Sequence, residues 1–179
     1  HAIYGLRTVD LSGAGSRQEV IDLTRDYLVS HPVKEGEWIS GFGWDQDLFP
    51  DKEFPTVREL DQISSVNPIM LTRRCGTICA ANSKAMELAG INKGTPRPQG
   101  GEIVKFENGD PTGVMLESAM SLIGNCVPKI TDKDVIKECL IYSCNELIKY
   151  GITVAHTEDF ASVGDKRAML DAYMELQEE

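Results

Sequence analysis

The strongest constraint on the fold is a long helical pattern that passes through one glycine into a short apolar segment. Behind Thr131, a good N-cap, apolar residues recur at helical spacing and form one face: Ile136, Leu140, Cys144, Leu147 and Ile148. Gly151 ends this helix, and the β-branched run at 152–156 predicts a strand. A helix that leads into a strand is the second half of a β-α-β unit, whose strands are parallel. The sequence therefore predicts an α/β fold with a parallel strand elsewhere.

Local signals predict further strands and helices before this unit. The dipeptide Asn108-Gly109 lies between the apolar runs 102–106 and 111–116, and this arrangement is typical of a β-hairpin. The sequence S-R-Q-E at 16–19 has the spacing of a capping box and predicts a helix that begins there. Residues 38–44 alternate large apolar residues with Ser or Gly, which predicts a strand that another backbone or a ligand can approach closely.

The stretch 71–91 concentrates unusual residue choices. Residues 68–72 predict a short buried strand, which Arg73 and Arg74 follow at the start of a polar turn. A short helix capped at position 82 or 83 and ended by Gly90 predicts a strand–turn–helix unit. Arginines and free backbone N–H groups in such a turn can bind an anionic or polar ligand. The alternative is that both arginines are simple surface charges.

Composition excludes several classes of function. The chain has 179 residues, 41% of them hydrophobic, which is enough for one domain or for one domain and part of another. A formal net charge of −10 argues against nucleic acid or an anionic membrane as a partner. No apolar run approaches the roughly 18 residues of a membrane span. The five cysteines lack C-x-x-C spacing, which favours buried, reduced thiols in a cytoplasmic protein.

Few residues offer catalytic chemistry on local evidence. His156 ends the predicted strand 152–156, at the edge where α/β folds place active sites, although a single histidine there can equally be structural. Glu117 lies at a strand-to-helix junction, where it either faces a ligand or interacts with the helix dipole. No H-x-H or H-x-x-x-H cluster exists, so spacing alone builds no metal site. Cys75 and Cys79 have no neighbouring histidine that could serve as a base.

The order of several motifs matches a known family. The specific combination is Gly-Trp-Asp at 43–45, Asn-Ser-x-Ala at 82–85 and Pro-Thr-Gly-Val-x-x-Glu at 111–117, together with N-P-I-M-L-T-R-R-C-G at 67–76 and Y-G-I-T-V-A-H-T-E-D at 150–159. In order and spacing the chain resembles, over essentially its whole length, the metal-dependent amidohydrolase family 3, in its YtcJ-like branch. Each motif alone would be weak evidence.

The resemblance implies a fold and a chemistry. Members of this family are (β/α)8 barrels with a small β domain, and they use one or two divalent metals, usually zinc, to activate water for hydrolysis of amide-type C–N bonds. His1 resembles the second histidine of a metal-binding His-x-His at the end of the first barrel strand. Residues 1–7 would be the tail of that strand, and residues 8–130 a mixed α/β insertion domain. Residues 131–179 would be a helix, the second barrel strand and the following helix.

The remaining metal ligands of the family belong to later barrel strands. The chain therefore resembles the first third of a metal-dependent hydrolase, with an incomplete (β/α)8 barrel and an incomplete catalytic centre. From this we expect a small-molecule amide-type substrate for the full-length enzyme, no tightly bound metal in these residues alone, and no hydrolysis by them. Exposed barrel strands would favour self-association of the fragment.

The family pattern also suggests which residues form the substrate pocket or support it. Arg74 and Asn82 keep the pattern, and Glu117 and His156 are placed with them by the same resemblance. At Thr77 relatives usually carry histidine, whereas a hydroxyl can form hydrogen bonds but cannot act as a base or carry positive charge near neutral pH. Substrate choice is therefore expected to differ from that of typical members.

Two other hypotheses remain open from the sequence. The chain could be an autonomous α/β binding or lid module without catalytic activity. A thiol-dependent enzyme that uses Cys75 is a third reading, for which a base is missing.

Overall fold

The computed structural model describes residues 7–161 and 163–178, and these form two compact units. One unit comprises residues 9–127, and the other is built mainly from residues 128–178. The predicted domain boundaries at 8 and 130 stay a prediction. Each unit is described separately below.

Residues 9–127 form a six-stranded mixed sheet. Its strands are β1 (Val9–Asp10), β2 (Ile39–Trp44), β3 (Ile69–Arg73), β4 (Ile78–Ala81), β5 (Gly101–Lys105) and β6 (Pro111–Glu117), in the spatial order β1-β2-β3-β4-β6-β5. The first three strands are parallel to one another, whereas β4, β5 and β6 pair antiparallel with their neighbours. The mixed α/β character and the hairpin β5–β6 that Asn108-Gly109 predicted are confirmed.

Three α-helices lie between strands of the sheet, and a fourth follows β6. They are α1 (Arg17–Ser30), α2 (Val57–Leu60), α3 (Ser83–Leu88) and α4 (Met120–Gly124). The Ser16 side chain accepts a hydrogen bond from the Glu19 N–H at the start of α1, which confirms the predicted cap. Glu19 itself accepts from the Gly15 N–H at 2.8 Å, one residue earlier than a capping box requires. Within the described residues, no helix is long and apolar enough to cross a membrane.

Side-chain alternation divides the apolar residues between two cores, one on each face of the sheet. On β3, Ile69 and Leu71 enter the first core while Met70 packs against the second. On β4, Ala80 belongs to the first core, and Cys79 and Ala81 belong to the second. This is the two-residue period of a strand that is covered on both faces.

Close approach in β2 confirms the role predicted for its glycines. Gly43 has a φ of +113°, and a Cβ there would lie only 2.9 Å from the backbone nitrogen of Ser12. Any other residue would therefore separate the backbones of β2 and the turn after β1.

The predicted strand–turn–helix unit at 68–91 is wrong in one respect. A second strand, β4, lies between the polar turn and α3, and it pairs antiparallel with β3 through Thr72 and Cys79. The small-residue run that looked like part of the turn is a strand because its alanines fit between two buried faces of the sheet. The cap at Asn82 and the end of the helix before Gly90, whose φ is +66°, are confirmed.

In the other unit, two helices pack around a small apolar core. They are α5 (Lys133–Lys149) and α6 (Lys166–Glu178), and their buried residues include Ile136, Cys139, Leu140, Met169 and Ala172. The N-cap of α5 is Asp132 and not the predicted Thr131, because the Asp132 carboxylate accepts from the N–H groups of Asp134 and Val135. A carboxylate at this position also interacts favourably with the positive end of the helix dipole.

The strand predicted at 152–156 is not formed. These residues are exposed and have no secondary structure, and no ladder partner for them lies among the described residues. A strand needs a neighbouring strand to bind its N–H and C=O groups, so a β-branched sequence alone does not create one. An isolated parallel bridge joins Ile130 and Val163 instead.

Candidate functional site

One edge of the sheet collects most of the polar residues that the sequence singled out. The parallel strands β2 and β3 end there, at Trp44 and Arg73, and β6 ends there at Glu117. Ligands of open α/β sheets bind outside the carboxyl ends of the parallel strands. The loop after β2, the β3–β4 turn and the end of β6 therefore form the candidate site.

Arg73 joins two of these segments. Its Nη2 donates to Asp45 Oδ1 at 2.6 Å and to Asp47 Oδ2 at 2.8 Å, and its Nε donates to Gln46 Oε1 at 2.6 Å. The Arg73 side chain is only 14% exposed, so the planar guanidinium holds the loop after β2 against the end of β3. Sequence reasoning missed Asp45 and Asp47 as partners of this arginine, although the Gly-Trp-Asp motif places an acid directly after β2.

Cys75 lies in the turn between β3 and β4. Its Sγ is 3.4 Å from Thr77 Oγ1. The thiol is exposed, as is that of Cys144, so the prediction of buried cysteines is wrong for these two, because one lies in a turn and the other on an outer helix face. Partial burial raises the pKa of the Cys75 thiol, whereas hydrogen bonds from Thr77 and Arg73 lower it. The hydrogen bonds have the larger combined effect, so the pKa of this thiol lies below its usual value. In contrast, burial raises the pKa of the Cys79 thiol to about 12.

Arg74, Thr77 and Glu117 follow one another across three adjacent strand ends. Arg74 directly follows β3, and its N–H donates to the Trp44 carbonyl oxygen at 3.0 Å. Thr77 directly precedes β4, and its carbonyl oxygen accepts from the Glu117 N–H at 2.7 Å. All three residues are exposed. We call this arrangement the polar row.

The side chains at both ends of the polar row have no partner within the described part of the chain. Neither the Arg74 guanidinium nor the Glu117 carboxylate makes a hydrogen bond or an ion pair there, with each other or with other residues. The neighbouring acids Asp45 and Asp47 already bind Arg73. The row therefore offers one free cation, a hydroxyl and one free anion.

Asn82 is fully buried at the opposite edge of the sheet, where β3 begins and β4 ends, and its side chain is occupied by backbone groups. Its Oδ1 accepts from the N–H of Ile69 at 2.9 Å and from that of Ala85 at 3.0 Å. Its Nδ2 donates to the carbonyl oxygens of Ser64 and Asn67, both at 2.9 Å. All its usual hydrogen-bonding positions are filled, so Asn82 can fix the start of α3 but has no donor or acceptor left for a ligand.

The two histidines that the sequence singled out are not part of the 9–127 unit. His156 belongs to the 128–178 unit, where it is exposed and lines an open groove with Cys144, Asp159 and Tyr173. Burial, together with the hydrogen bond that Tyr173 donates to Asp159 at 2.9 Å, raises the pKa of Tyr173 to about 12. His1, the predicted metal ligand, lies outside the described residues.

A metal centre needs several ligating side chains close together. A catalytic zinc takes about three protein ligands and a water. Residues 7–161 and 163–178 include no group of three or more His, Cys, Asp or Glu side chains that could hold a metal ion. The described side chains therefore do not fit a complete metal site.

The known proteins that this chain resembles include amidohydrolases and metal-dependent hydrolases. The sequence profile described as "Amidohydrolase family" matches residues 1–179. YtcJ of Bacillus subtilis (strain 168), which carries an amidohydrolase name, is 32% identical over 92% of this chain and 31% of its own length. The Arabidopsis thaliana protein LONG AFTER FAR-RED 3 is 34% identical over 86% of this chain and 26% of its own length. The N-substituted formamide deformylase of Arthrobacter pascens is 36% identical over 51% of this chain and 17% of its own length.

Two solved structures of metal-dependent hydrolases have a fold similar to that of this chain. An uncharacterized metal-dependent hydrolase from Pyrococcus furiosus superposes with a TM-score of 0.57 at 26% identity, covering 99% of this chain and 32% of that one. A second, from Pyrococcus horikoshii OT3, has a TM-score of 0.58 at 24% identity and is evidence of the fold alone. The chain thus spans about a third or less of the length of the proteins that it matches.

Proposed function

The chain belongs to the amidohydrolase family, and from this premise we propose that it is the part of a longer metal-dependent hydrolase that helps to bind an amide-type, non-peptide substrate. The reaction would be hydrolysis of a C–N bond. Support comes from the name of one relative, a deformylase of N-substituted formamides, and from the metal dependence named for the Pyrococcus furiosus structure. The observation that carries the proposal is the family match over the whole chain.

The polar row is the part of this chain that we assign to substrate binding. Arg74 would donate hydrogen bonds to a substrate oxygen, while the Thr77 hydroxyl oxygen and the Glu117 carboxylate would each accept one from a substrate N–H. Arg73 would hold the β3–β4 turn in place through Asp45 and Asp47, and Asn82 would fix the start of α3 at the opposite edge of the sheet. His156 stays a proposed pocket or supporting residue of the full-length enzyme.

A divalent metal, with zinc as the family's usual choice, is proposed for the full-length enzyme, with His1 as one ligand. Because the described residues do not fit a complete centre, no step of the reaction is assigned to a metal here. Residues of the longer protein would have to supply the missing ligands. The isolated chain is therefore proposed to be inactive and to bind zinc only weakly.

The longer protein also gives a role to the two units. We propose that residues 8–130 form an insertion domain and that residues 131–179 belong to a (β/α)8 barrel. In that barrel, the exposed segment 152–156 would find the neighbouring strands that it lacks here. Without them, Ile152 and Val154, which are 42% and 78% exposed, would favour self-association of the isolated chain. Five free thiols support a cytoplasmic location.

The test compares the isolated chain with a longer protein that contains it. Both are purified, their zinc content is measured by mass spectrometry, and both are assayed with N-substituted formamides and simple amides. We expect turnover and stoichiometric metal only in the longer protein. Turnover or tight stoichiometric zinc in the 179-residue chain would contradict the proposed incomplete centre, and inactivity of the metal-loaded longer protein on every C–N substrate would contradict the reaction.

The alternative is a binding or lid module without catalytic activity. It is favoured by the exposed polar row, whose cation, hydroxyl and anion can bind a polar ligand. This alternative predicts that the longer protein binds amides through the polar row and releases them unchanged. Product analysis by NMR separates the two functions.

A further inference from the structure

Glu117 is an unusual residue for the backbone conformation that it adopts. Its φ is +51°, in the left-handed region, and among the described residues only Lys52, at +58°, shares this feature without being glycine. Elsewhere the chain places glycine at left-handed positions, including Gly76, Gly100 and Gly113. A side chain with a Cβ is disfavoured there, whereas glycine is not.

The neighbouring strands force this conformation on position 117. The Glu117 N–H donates to the Thr77 carbonyl oxygen at 2.7 Å, and Glu117 pairs with Gly101 of β5. The Ala119 N–H then donates to the Leu116 carbonyl oxygen at 3.1 Å, which turns the chain sharply into α4. The backbone geometry thus follows from the fold, and it would be the same with glycine at this position.

The Glu117 side chain makes no contact within the described residues that would offset the free-energy cost of this strained backbone. The ammonium of Lys52 donates to the Asp47 carbonyl oxygen, so the other strained residue has a local partner. The carboxylate of Glu117 is exposed, with no hydrogen bond or ion pair in the described part of the chain. Strained residues that make no stabilising contact are concentrated at ligand-binding positions.

We propose that Glu117 is a specificity-determining residue that binds a protonated amine on the non-reacting part of the substrate. An ionised carboxylate only accepts hydrogen bonds, and an ammonium group offers three donors and the opposite charge. This assignment rests on the proposed function in so far as the ligand is a substrate.

Arg74 at the other end of the polar row sets the orientation of such a ligand. Arg74 and Glu117 are separated by one intervening strand, so their backbones lie about 10 Å apart, two strand spacings. A small molecule fits between two long side chains at this separation. Its oxygen-bearing end would lie near Arg74 and Thr77, and its cationic end near Glu117.

The first arm of the test measures stability. In E117G the strain is relieved and no contact is lost, so we expect the midpoint of thermal unfolding to rise by about 2–4 °C. E117Q keeps the strain and the size, and its midpoint should stay within about 1 °C of wild type. A lower midpoint for E117G would show that the side chain stabilises the fold, and it would overturn the proposal.

The second arm measures ligand preference without turnover. The 15N-labelled chain is titrated with glycinamide, whose amine is protonated near pH 6.5, and with glycolamide, which carries a hydroxyl in place of that amine. We expect glycinamide to shift the Thr77 and Glu117 amide signals with an affinity about three- to fivefold higher, the size of an exposed ion pair. E117Q should abolish this preference, and E35Q, which removes an exposed carboxylate elsewhere, should preserve it.

The outcomes separate this inference from the proposed function. Equal affinity for the two probes in the wild-type chain, or an unchanged preference in E117Q, would overturn the assignment of Glu117. If the preference depends on Glu117 but the longer protein hydrolyses no C–N bond, the residue assignment stands and the reaction is wrong. If hydrolysis occurs without any preference, the reaction stands and Glu117 is not the determinant.

Discussion

Replacing Asn82 with alanine tests whether this asparagine is kept for the fold or for a ligand. The side chain is fully buried, and it binds two backbone N–H groups and two backbone carbonyl oxygens. It thereby links β3, α3 and the loop before β3. N82A removes all four hydrogen bonds at once, and the two backbone N–H groups and two carbonyl oxygens lose this hydrogen-bonding partner.

The expected loss of stability follows from these bonds. The bond to the Ala85 N–H is the N-cap of α3, and its loss costs about 1 kcal/mol. The Ile69 N–H and the Asn67 carbonyl oxygen are buried, and each costs about 1–3 kcal/mol when it is left unpaired. The sum is roughly 3–7 kcal/mol. Because water can enter the vacated space and satisfy some of these groups, we expect roughly 3–5 kcal/mol.

Urea unfolding followed by tryptophan fluorescence provides the measurement, since Trp44 is buried in the same unit. The N82A midpoint should fall while the m-value stays unchanged. N125A, which truncates an exposed asparagine, is the control and should change stability by less than about 0.5 kcal/mol. A loss below about 1 kcal/mol in N82A would refute the reasoning and would favour a ligand-binding role for Asn82.

A second variant tests the direction of the Asn82 amide. N82D keeps the Oδ1 acceptor but places a carboxyl oxygen against two carbonyl oxygens. Burial and these oxygens disfavour the charged form, so the pKa of the new carboxyl should be raised in the folded state. The loss of stability should therefore be larger at pH 7 than at pH 4, where the protonated form can donate one bond. Equal losses at both pH values would contradict the assigned amide orientation.

Three further predictions concern other parts of the chain. Iodoacetamide at pH 7.5 should alkylate Cys75 well before Cys79, because hydrogen bonds lower the pKa of the first thiol while burial raises that of the second to about 12; equal rates by peptide mass mapping would contradict this. G113A should lower stability by more than about 2 kcal/mol, because φ is +88° and a Cβ would overlap a carbonyl oxygen of β4, whereas G90A, with open space around it, should cost about 1 kcal/mol in urea unfolding. Glu175 should titrate below its usual pKa of 4.5 in carbon-detected NMR, chiefly because Lys133 donates a hydrogen bond to its carboxylate; the stabilisation from this pair is present above pH 4.5 and is lost as the pH falls through the lowered pKa.

The sequence by itself determined those features that depend on a few neighbouring residues. The Asn108-Gly109 hairpin, the cap at Ser16 and the cap at Asn82 are all as predicted, because the side chain and the backbone group that it serves lie within a few residues of each other. The family resemblance is also confirmed by the match over the whole chain, since it rests on the order of motifs and not on their contacts.

Only the tertiary structure decided which chain segments lie beside one another. The small residues of β4 became a strand because β3 and β6 provide pairing partners on both sides. The β-branched segment at 152–156 has no such partner among the described residues, and it forms no strand despite its stronger local signal. Strand formation depends on hydrogen bonds from another segment, which no local pattern can supply.

The candidate site divides in the same way. The family resemblance grouped Arg74, Thr77 and Glu117 with Asn82 and His156, and pairing of β4 with both β3 and β6 placed the first three in one row. Arg73 forms ion pairs with two acids, whereas Arg74 forms none with the described residues. The sequence could not show this difference, because the partners of Arg73 come from a segment almost thirty residues earlier in the chain. Nor could it show the left-handed backbone of Glu117, which the neighbouring strands impose from a distance in the chain.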